Sequence, residues 1–128
     1  MNEEGIRQEV ASAYETYLEA FRSSNLEKID SLVKYPIASI EDGMVRLLDK
    51  FPIDPADLMA KKGWHSTIDA DYEVVGLSPT KAHVILRNAQ RLRRDGSLIE
   101  TVSAFYAFTR TEAGWRLFAI SGIVVPSA

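Results

Sequence analysis

The last third of the chain reads KAHVILRNAQRLRRDGSLIETVSAFYAFTRTEAGWRLFAISGIVV (residues 81–125), and this stretch decides the fold. It contains three long strand-like runs, at about 81–93, 98–110 and 114–125, in which the two faces differ in polarity. Asp95-Gly96 and Glu112-Ala113 separate the runs and favour tight turns. The stretch therefore predicts neighbouring antiparallel strands with one face buried.

Helical patterns dominate the first half of the chain. Apolar residues recur at helical spacing over Ile6–Phe21, which predicts one long amphipathic helix. Asn25 is a suitable cap for a second, short helix over Leu26–Val33. A third helix over residues 55–62 begins with a proline after an aspartate cap, and Gly63 suits its end.

Further strand-like runs lie between and after these helices. Pro36–Ile40 and Met44–Leu48 flank the turn Glu41–Gly43 and predict a hairpin, and residues 67–77 form another run. This order of elements predicts an α+β fold, with three helices on one face of a mostly antiparallel sheet. Residues 1–128 are expected to form a single domain, because that length is typical of one.

Composition limits the chemistry that the chain can perform. It has no cysteine and only two histidines, so we expect no disulfide, no thiol nucleophile, no metal site and no cofactor. The first residues are acidic and lack an apolar stretch, and no apolar run approaches the length of a membrane span. We therefore expect a cytoplasmic protein that does not engage a membrane.

The net charge of −3 conceals an uneven distribution. Residues 1–80 carry a balance of −7 and residues 81–128 a balance of +4. Most of the basic excess lies in one strand-like run and is interpreted as a solvated strand face rather than a nucleic-acid surface, which would require a strongly salt-dependent affinity. We therefore expect no nucleic-acid partner. The residues concerned are Arg87, Arg91, Arg93 and Arg94.

Strand alternation indicates which side chains face the helices. In the last run the inner set is expected to include Ala119 and Ser121, because the opposite set contains Arg116. In the run over 81–93 the inner set is expected to include Asn88. A three-residue loop over Arg94–Gly96 makes this face agree with that of the next strand. Gln90 and Glu100 are expected at the rim of the sheet.

The opposite, outer face of the sheet is expected to be strongly apolar. Such a face is too large to leave in water and predicts a homodimer formed through the sheet. The residues expected on it are Ile85, Ala89, Phe105, Phe118 and Ile120.

The sequence resembles the nuclear transport factor 2-like superfamily, which includes SnoaL-like polyketide cyclases and steroid delta-isomerases. The segments that carry the resemblance are YLEAFRSSNLEKI (17–29), EDG (41–43), SAFYAF (103–108) and GWRLFAI (114–120). The resemblance covers essentially the whole chain. It implies a cone-shaped, strongly curved sheet around a pocket (a cystatin-like fold) and a dimer packed through the sheets. The same fold hosts isomerases, cyclases, dehydratases and non-enzymatic modules.

The resemblance also implies roles for individual residues. Tyr17 matches the position of the isomerases' donor tyrosine in the first helix, and Tyr106 matches that of their protonated aspartic acid. Asp42 lies within one residue of their carboxylate base. In an enzyme of this kind Tyr17 and Tyr106 would stabilise an enolate, and Asp42 or His65 would move the proton.

Other residues are candidates for lining a pocket. Each has a structural alternative: core packing for the aromatic residues, a closed hydrogen bond for the polar ones, and a surface position for His65. The ligand-lining candidates are Tyr14, Tyr17, Phe21, Trp64, Asn88, Tyr106, Ala119 and Ser121.

Three functions follow as expectations. The first is binding of a small apolar organic ligand. The second is cofactor-independent isomerisation, dehydration or cyclisation of a carbonyl compound, and the third is a non-catalytic dimeric assembly module. A continuous solvent-accessible cavity between the first helix and the inner sheet face would favour the first two over the third.

Overall fold

A computed structural model of the chain describes residues 2–127. The first helix, α1, spans Glu3–Arg22, as the apolar stripe predicts. Asn2 caps it: the side-chain oxygen accepts a 2.7 Å hydrogen bond from the backbone N–H of Gly5. Its buried face runs from Ile6 to Phe21 and packs against the sheet.

The second helix is shorter than predicted. α2 spans Leu26–Ser31, with Asn25 as its cap, and β1 already begins at Val33. β1 spans Val33–Glu41 and contains Pro36, which follows a cis peptide bond. Strand pairing shifts register between Val33 and Ala38, so the missing N–H of this proline falls in an irregular part of the ladder.

The short hairpin and the third helix are confirmed. β2 spans Met44–Leu48 and pairs antiparallel with β1. α3 spans Pro55–Lys62, with the Asp54 carboxylate capping the N–H of Ala56. Gly63 ends it in the left-handed conformation, at φ 72°, which glycine adopts without strain. None of the helices within residues 2–127 combines the length and apolarity needed to cross a membrane.

The remaining strands, which complete the sheet, are β3 (Ser66–Ile68), β4 (Asp71–Leu77), β5 (Lys81–Leu92), β6 (Leu98–Thr111) and β7 (Gly114–Pro126). The predicted run over 67–77 is interrupted at Asp69 and Ala70, so it forms two strands that both pair with β5. In residues 2–127 seven strands form one mixed sheet in the order β2-β1-β7-β6-β5-β3, with β4 also on β5. The pair β1–β7 is parallel and the other pairs are antiparallel. The sheet is curled but not closed.

The loop between β5 and β6 has the predicted length. The N–H of Arg93 donates to the carbonyl of Ser97, which leaves three residues between them. Gly96 takes the left-handed conformation, at φ 87°, as expected for the bulge position.

Two bulges overturn part of the predicted alternation. In β5 the register shifts between Leu86 and Ala89, where Asn88 adopts φ 53° and is exposed. In β7 the register shifts at Phe118, so Ala119 and Ser121 pair with outward-facing residues of β6. The prediction that Asn88, Ala119 and Ser121 face the helices is therefore wrong, because each follows or forms a bulge that reverses the phase of its strand.

Candidate functional site

A cavity of about 260 Å³ lies between α1 and the inner face of the curled sheet. Most of its wall is apolar, and the strands contribute small side chains at its centre. The polar exceptions are two tyrosines, a threonine and three basic residues. The sheet wall consists of Leu86, Ala89 and Arg91 from β5, Val102, Ala104 and Tyr106 from β6, and Ile120, Gly122 and Val124 from β7.

Both bulges set the composition of this wall. After the bulge in β5, Ala89 and Arg91 point to the cavity, where regular alternation would have placed Asn88 and Gln90. After the bulge in β7, Ile120 and Gly122 line the cavity, where regular alternation would have placed Ala119 and Ser121. The wall is therefore more apolar than predicted, and its polar end is an arginine rather than carboxamides and hydroxyls.

Three tyrosines meet at the helix side of the cavity. The ring centroids of Tyr14 and Tyr17 lie 4.9 Å and 5.7 Å from that of Tyr106. Tyr17 and Tyr106 line the cavity, whereas Tyr14 is fully buried behind them. The Tyr14 hydroxyl makes no hydrogen bond within 3.5 Å to any residue that the structure describes. Burial raises the pKa of Tyr14 above its usual value, and the neighbouring Tyr106 phenol raises it further.

The environment keeps these phenols protonated. Burial raises the pKa of Tyr17 well above its usual value, and the neighbouring Tyr106 phenol raises it further. Burial also raises the pKa of Tyr106, although the phenols of Tyr14 and Tyr17 and the charge of Arg91 offset part of that effect. At physiological pH both lining tyrosines are therefore hydroxyl donors and not phenolates.

A buried carboxylate connects two basic residues at the cavity. Glu100 is 2% exposed and accepts 2.7 Å hydrogen bonds from the Nζ of Lys62 and the Nη1 of Arg91. Burial alone would raise the pKa of Glu100, but the hydrogen bonds from these two cations outweigh it and lower the pKa. The carboxylate is therefore charged at neutral pH and is held below the cavity wall, while Lys62 and Arg91 reach the lining.

The aromatic residues predicted from the sequence divide into two groups. Tyr17, Phe21 and Tyr106 line the cavity as expected. Tyr14 and Trp64 are buried and pack next to lining residues, with the Trp64 ring 5.4 Å from that of Phe21. The indole N–H of Trp64 donates to the hydroxyl of Thr67, so its polar atom is already satisfied.

The two residues expected to move a proton do not line the cavity. Asp42 is exposed in the turn between β1 and β2. His65 is exposed after α3 and lies in a separate surface depression with Met59 and Arg94. The tight turn and the capped helix end hold both side chains at the surface, which leaves neither in contact with the cavity wall.

Sequence reasoning missed the Lys62–Glu100–Arg91 cluster. The signal was present as an opposite-charge pair, because Arg91 and Glu100 are directly paired across β5 and β6. Regular alternation had placed Arg91 on the outer face. The solvated basic face expected for this strand is therefore smaller than predicted. Arg87 forms a 3.1 Å ion pair with Glu73, and Arg91 points inward.

The family model for the NTF2-like protein family DUF6841 matches residues 8–122, which is most of the chain. The chain belongs to this NTF2-like family. The predicted superfamily resemblance is thereby confirmed. The matched range includes most of α1, the strands β1 to β6, the first nine residues of β7 and every wall residue of the cavity except Val124.

Solved structures have the same fold at low sequence identity. A conserved protein from Planctomyces limnophilus has a TM-score of 0.69 at 18% identity, covering 97% of this NTF2-like chain and 99% of that one. A candidate dehydratase from the NTF2-like family of Streptomyces avermitilis has 0.69 at 19%, covering 99% of each. A hexachlorocyclohexane dehydrochlorinase of LinA type 3 from Novosphingobium barchaimii has 0.64 at 16%, covering 97% and 91%. No curated protein matches the chain significantly.

Proposed function

We propose that the chain binds a small, mainly apolar organic molecule in the cavity between α1 and the sheet. The observation that carries the proposal is a cavity of about 260 Å³ whose wall is mainly apolar and contains a few convergent polar groups. Ligand sites commonly combine apolar walls with a few polar groups that fix orientation. The hydroxyls of Tyr17 and Tyr106 are such groups, and burial keeps both protonated.

The same wall argues against the enzymatic alternative. Isomerisation, dehydration or cyclisation without a cofactor requires a base within reach of the substrate. Among the described residues that line the cavity there is neither a carboxylate nor an imidazole. The names of the structural relatives include different reactions, and a shared fold does not choose among them. Binding is therefore favoured over proton transfer.

A cavity-filling substitution tests the binding proposal. A Cβ added at Gly122 would meet no atom within 4 Å, and its backbone does not require glycine. We therefore expect Gly122→Leu to fold and to weaken binding of neutral probes by at least about tenfold, because its side chain occupies part of the space. The probes are toluene, benzyl alcohol and cyclohexanol, titrated while backbone amide chemical shifts are recorded by NMR.

The matched control is Ser121→Leu, which adds a similar side chain one residue away on the outer face. It is expected to leave the affinity for the same probes unchanged. In the unsubstituted chain the shifts are expected at residues of the cavity wall such as Ala104 and Ile120. If none of the three probes shifts those amides, the cavity does not bind neutral apolar molecules.

We further propose that two copies of the chain form a homodimer through their outer sheet faces. Such a dimer is compatible both with ligand binding and with the assembly-module alternative. Val45 and Leu47 of β2 are 68% and 71% exposed, and Ile123 and Val125 of β7 are also exposed on this face. These four side chains are uncharged, so a second copy can approach without like-charge repulsion, and several large apolar side chains exposed on one sheet face commonly mark an interaction site. Ile85, Phe105 and Phe118 lie on the outer face as predicted, whereas Ala89 and Ile120 turn inward after the bulges.

A charge placed in the patch tests the dimer. Leu47→Glu is expected to raise the dimer dissociation constant by at least about tenfold, because a carboxylate would lose its water at the interface. Sedimentation velocity over a concentration series measures this change. Met59→Glu, on the exposed side of α3, is the control and is expected to have no effect. A monomer at every concentration in the unsubstituted chain would contradict the proposal.

A further inference from the structure

The charges at the cavity are of one sign. Arg22, Lys62 and Arg91 line it, and no acidic residue of the described chain does. The charge of Arg22 is balanced by the carboxylate of Glu19, which lies outside the cavity at 3.2 Å from the Arg22 guanidinium. Lys62 and Arg91 share a single carboxylate, that of Glu100, so this cluster retains one positive charge. A cavity with an apolar wall and a retained cation favours an apolar ligand that carries an anion.

Arg91 is the cation best placed to meet that anion. Its side chain is 12% exposed, and only Nη1 is committed to Glu100. Within residues 2–127 the other N–H groups of its guanidinium donate no hydrogen bond. The guanidinium lies 5.8 Å from the ring centroid of Phe21, another lining residue, which restricts its position through a cation–π contact.

The two lining phenols lie in the electrostatic range of the same guanidinium. The charge of Arg91 lowers the pKa of both Tyr17 and Tyr106, which partly opposes the effect of their burial. The ring of Phe21 connects these groups, since its centroid lies 5.8 Å from the guanidinium of Arg91 and 6.1 Å from the ring centroid of Tyr17. Tyr17 in turn lies 5.7 Å from Tyr106, so the arginine and the two phenols together offer N–H and O–H donors to an otherwise apolar cavity. A planar carboxylate matches the fork of a guanidinium and can accept further hydrogen bonds from hydroxyls.

We propose that the ligand of this cavity is a small organic monocarboxylate, with its carboxylate on Arg91 and the phenol hydroxyls and its apolar body against the sheet wall. This inference rests on the proposed binding function and specifies the chemical class of the ligand. Lys62 and Glu100 contribute indirectly: Glu100 anchors the Nη1 side of the guanidinium, and Lys62 supplies the second cation that keeps the local charge positive.

The test compares phenylacetate with phenylacetamide, which have the same apolar body and differ in charge. Isothermal titration calorimetry at pH 7 is expected to show phenylacetate binding at least about tenfold more tightly, because charge-assisted hydrogen bonds are stronger than neutral ones. The preference is expected to decrease with added salt, since it is electrostatic. The neutral probes described above test the binding function independently.

Arg91→Lys tests whether Arg91 causes the preference for phenylacetate over phenylacetamide. The lysine can retain the ion pair with Glu100, but it lacks the guanidinium fork. It is expected to weaken phenylacetate binding by about tenfold and phenylacetamide binding by a clearly smaller factor, because only the carboxylate matches the fork and its charge. Arg87→Lys is the matched control, since Arg87 lies on the same strand, is exposed and forms an ion pair with Glu73. Melting temperatures of both variants establish that they are folded.

The outcomes separate the two proposals. If neutral probes bind but phenylacetate is not preferred over its amide, the monocarboxylate inference is overturned and the binding function stands. If neither the neutral probes nor the acid and amide bind, both are overturned. If phenylacetate is preferred but Arg91→Lys behaves like Arg87→Lys, the placement of the carboxylate on Arg91 is overturned.

Discussion

Glu100→Gln is expected to lower the free energy of unfolding by about 3 kcal/mol, although the two side chains have nearly the same shape. The Glu100 carboxylate is 2% exposed and accepts hydrogen bonds from Lys62 and Arg91. Glutamine retains one acceptor oxygen, but its NH₂ group would face a cation. Because Arg91 is itself mostly buried, its charge would lose its counter-ion in a poorly solvated place. Urea denaturation at pH 7 measures the change in unfolding free energy.

A double variant shows whether the loss comes from the unpaired charge. Arg91→Met with Glu100→Leu removes both buried partners, and the remaining Lys62 is 44% exposed and can reach solvent. Replacing a buried ion pair by apolar residues is often neutral or stabilising, so this variant is expected within about 1 kcal/mol of the original chain. A loss below about 1 kcal/mol for Glu100→Gln alone would contradict the account of a buried, charge-dependent cluster.

The same cluster makes stability depend on acidity. The pKa of Glu100 is lowered in the folded chain from its ordinary value of 4.5, so the folded state binds this proton less readily than the unfolded state. The stabilisation is therefore present above about pH 5 and is lost as the pH falls through the folded-state pKa. The stability difference between the original chain and Glu100→Gln is expected to shrink over that acid range.

Local signals in the sequence predicted most of the elements. The apolar stripe of α1, the Asn25 cap, the Asp54–Gly63 boundaries of α3 and the three-residue loop ending at Gly96 all follow from short-range preferences. The cavity-lining positions of Tyr17, Phe21 and Tyr106 came from the same periodicities and from the family resemblance. Features that depend on residues close together in the sequence were therefore predictable.

The errors arose where the two faces of a strand resemble each other. Around Phe118 and Ile120 both faces are apolar, so hydrophobicity does not reveal the extra residue in β7. Asn88 offered a weak signal, because asparagine tolerates the left-handed conformation that it adopts in the bulge of β5. A single undetected bulge reverses every later side chain in the strand, which moved Arg91 into the site and Ser121 out of it.

Ile120→Asn is expected to cost about 4 kcal/mol of unfolding free energy, which is the largest effect predicted for a single substitution here. Ile120 is 6% exposed, pairs with Tyr106 and forms part of the cavity wall. The substitution removes apolar burial worth about 2 kcal/mol and leaves an amide with few partners at a further cost of about 2 kcal/mol. Urea denaturation at low protein concentration measures the change.

Ser121→Asn is the matched substitution on the adjacent residue. Because the bulge at Phe118 turns Ser121 to the outer face, the larger amide remains in contact with solvent, and the expected change is within about 0.5 kcal/mol. Regular alternation through β7 would give the opposite order, with position 121 buried and position 120 tolerant. The ratio of the two losses therefore reports the phase of the strand directly. A larger loss for Ser121→Asn than for Ile120→Asn would show that Ser121, and not Ile120, faces the cavity.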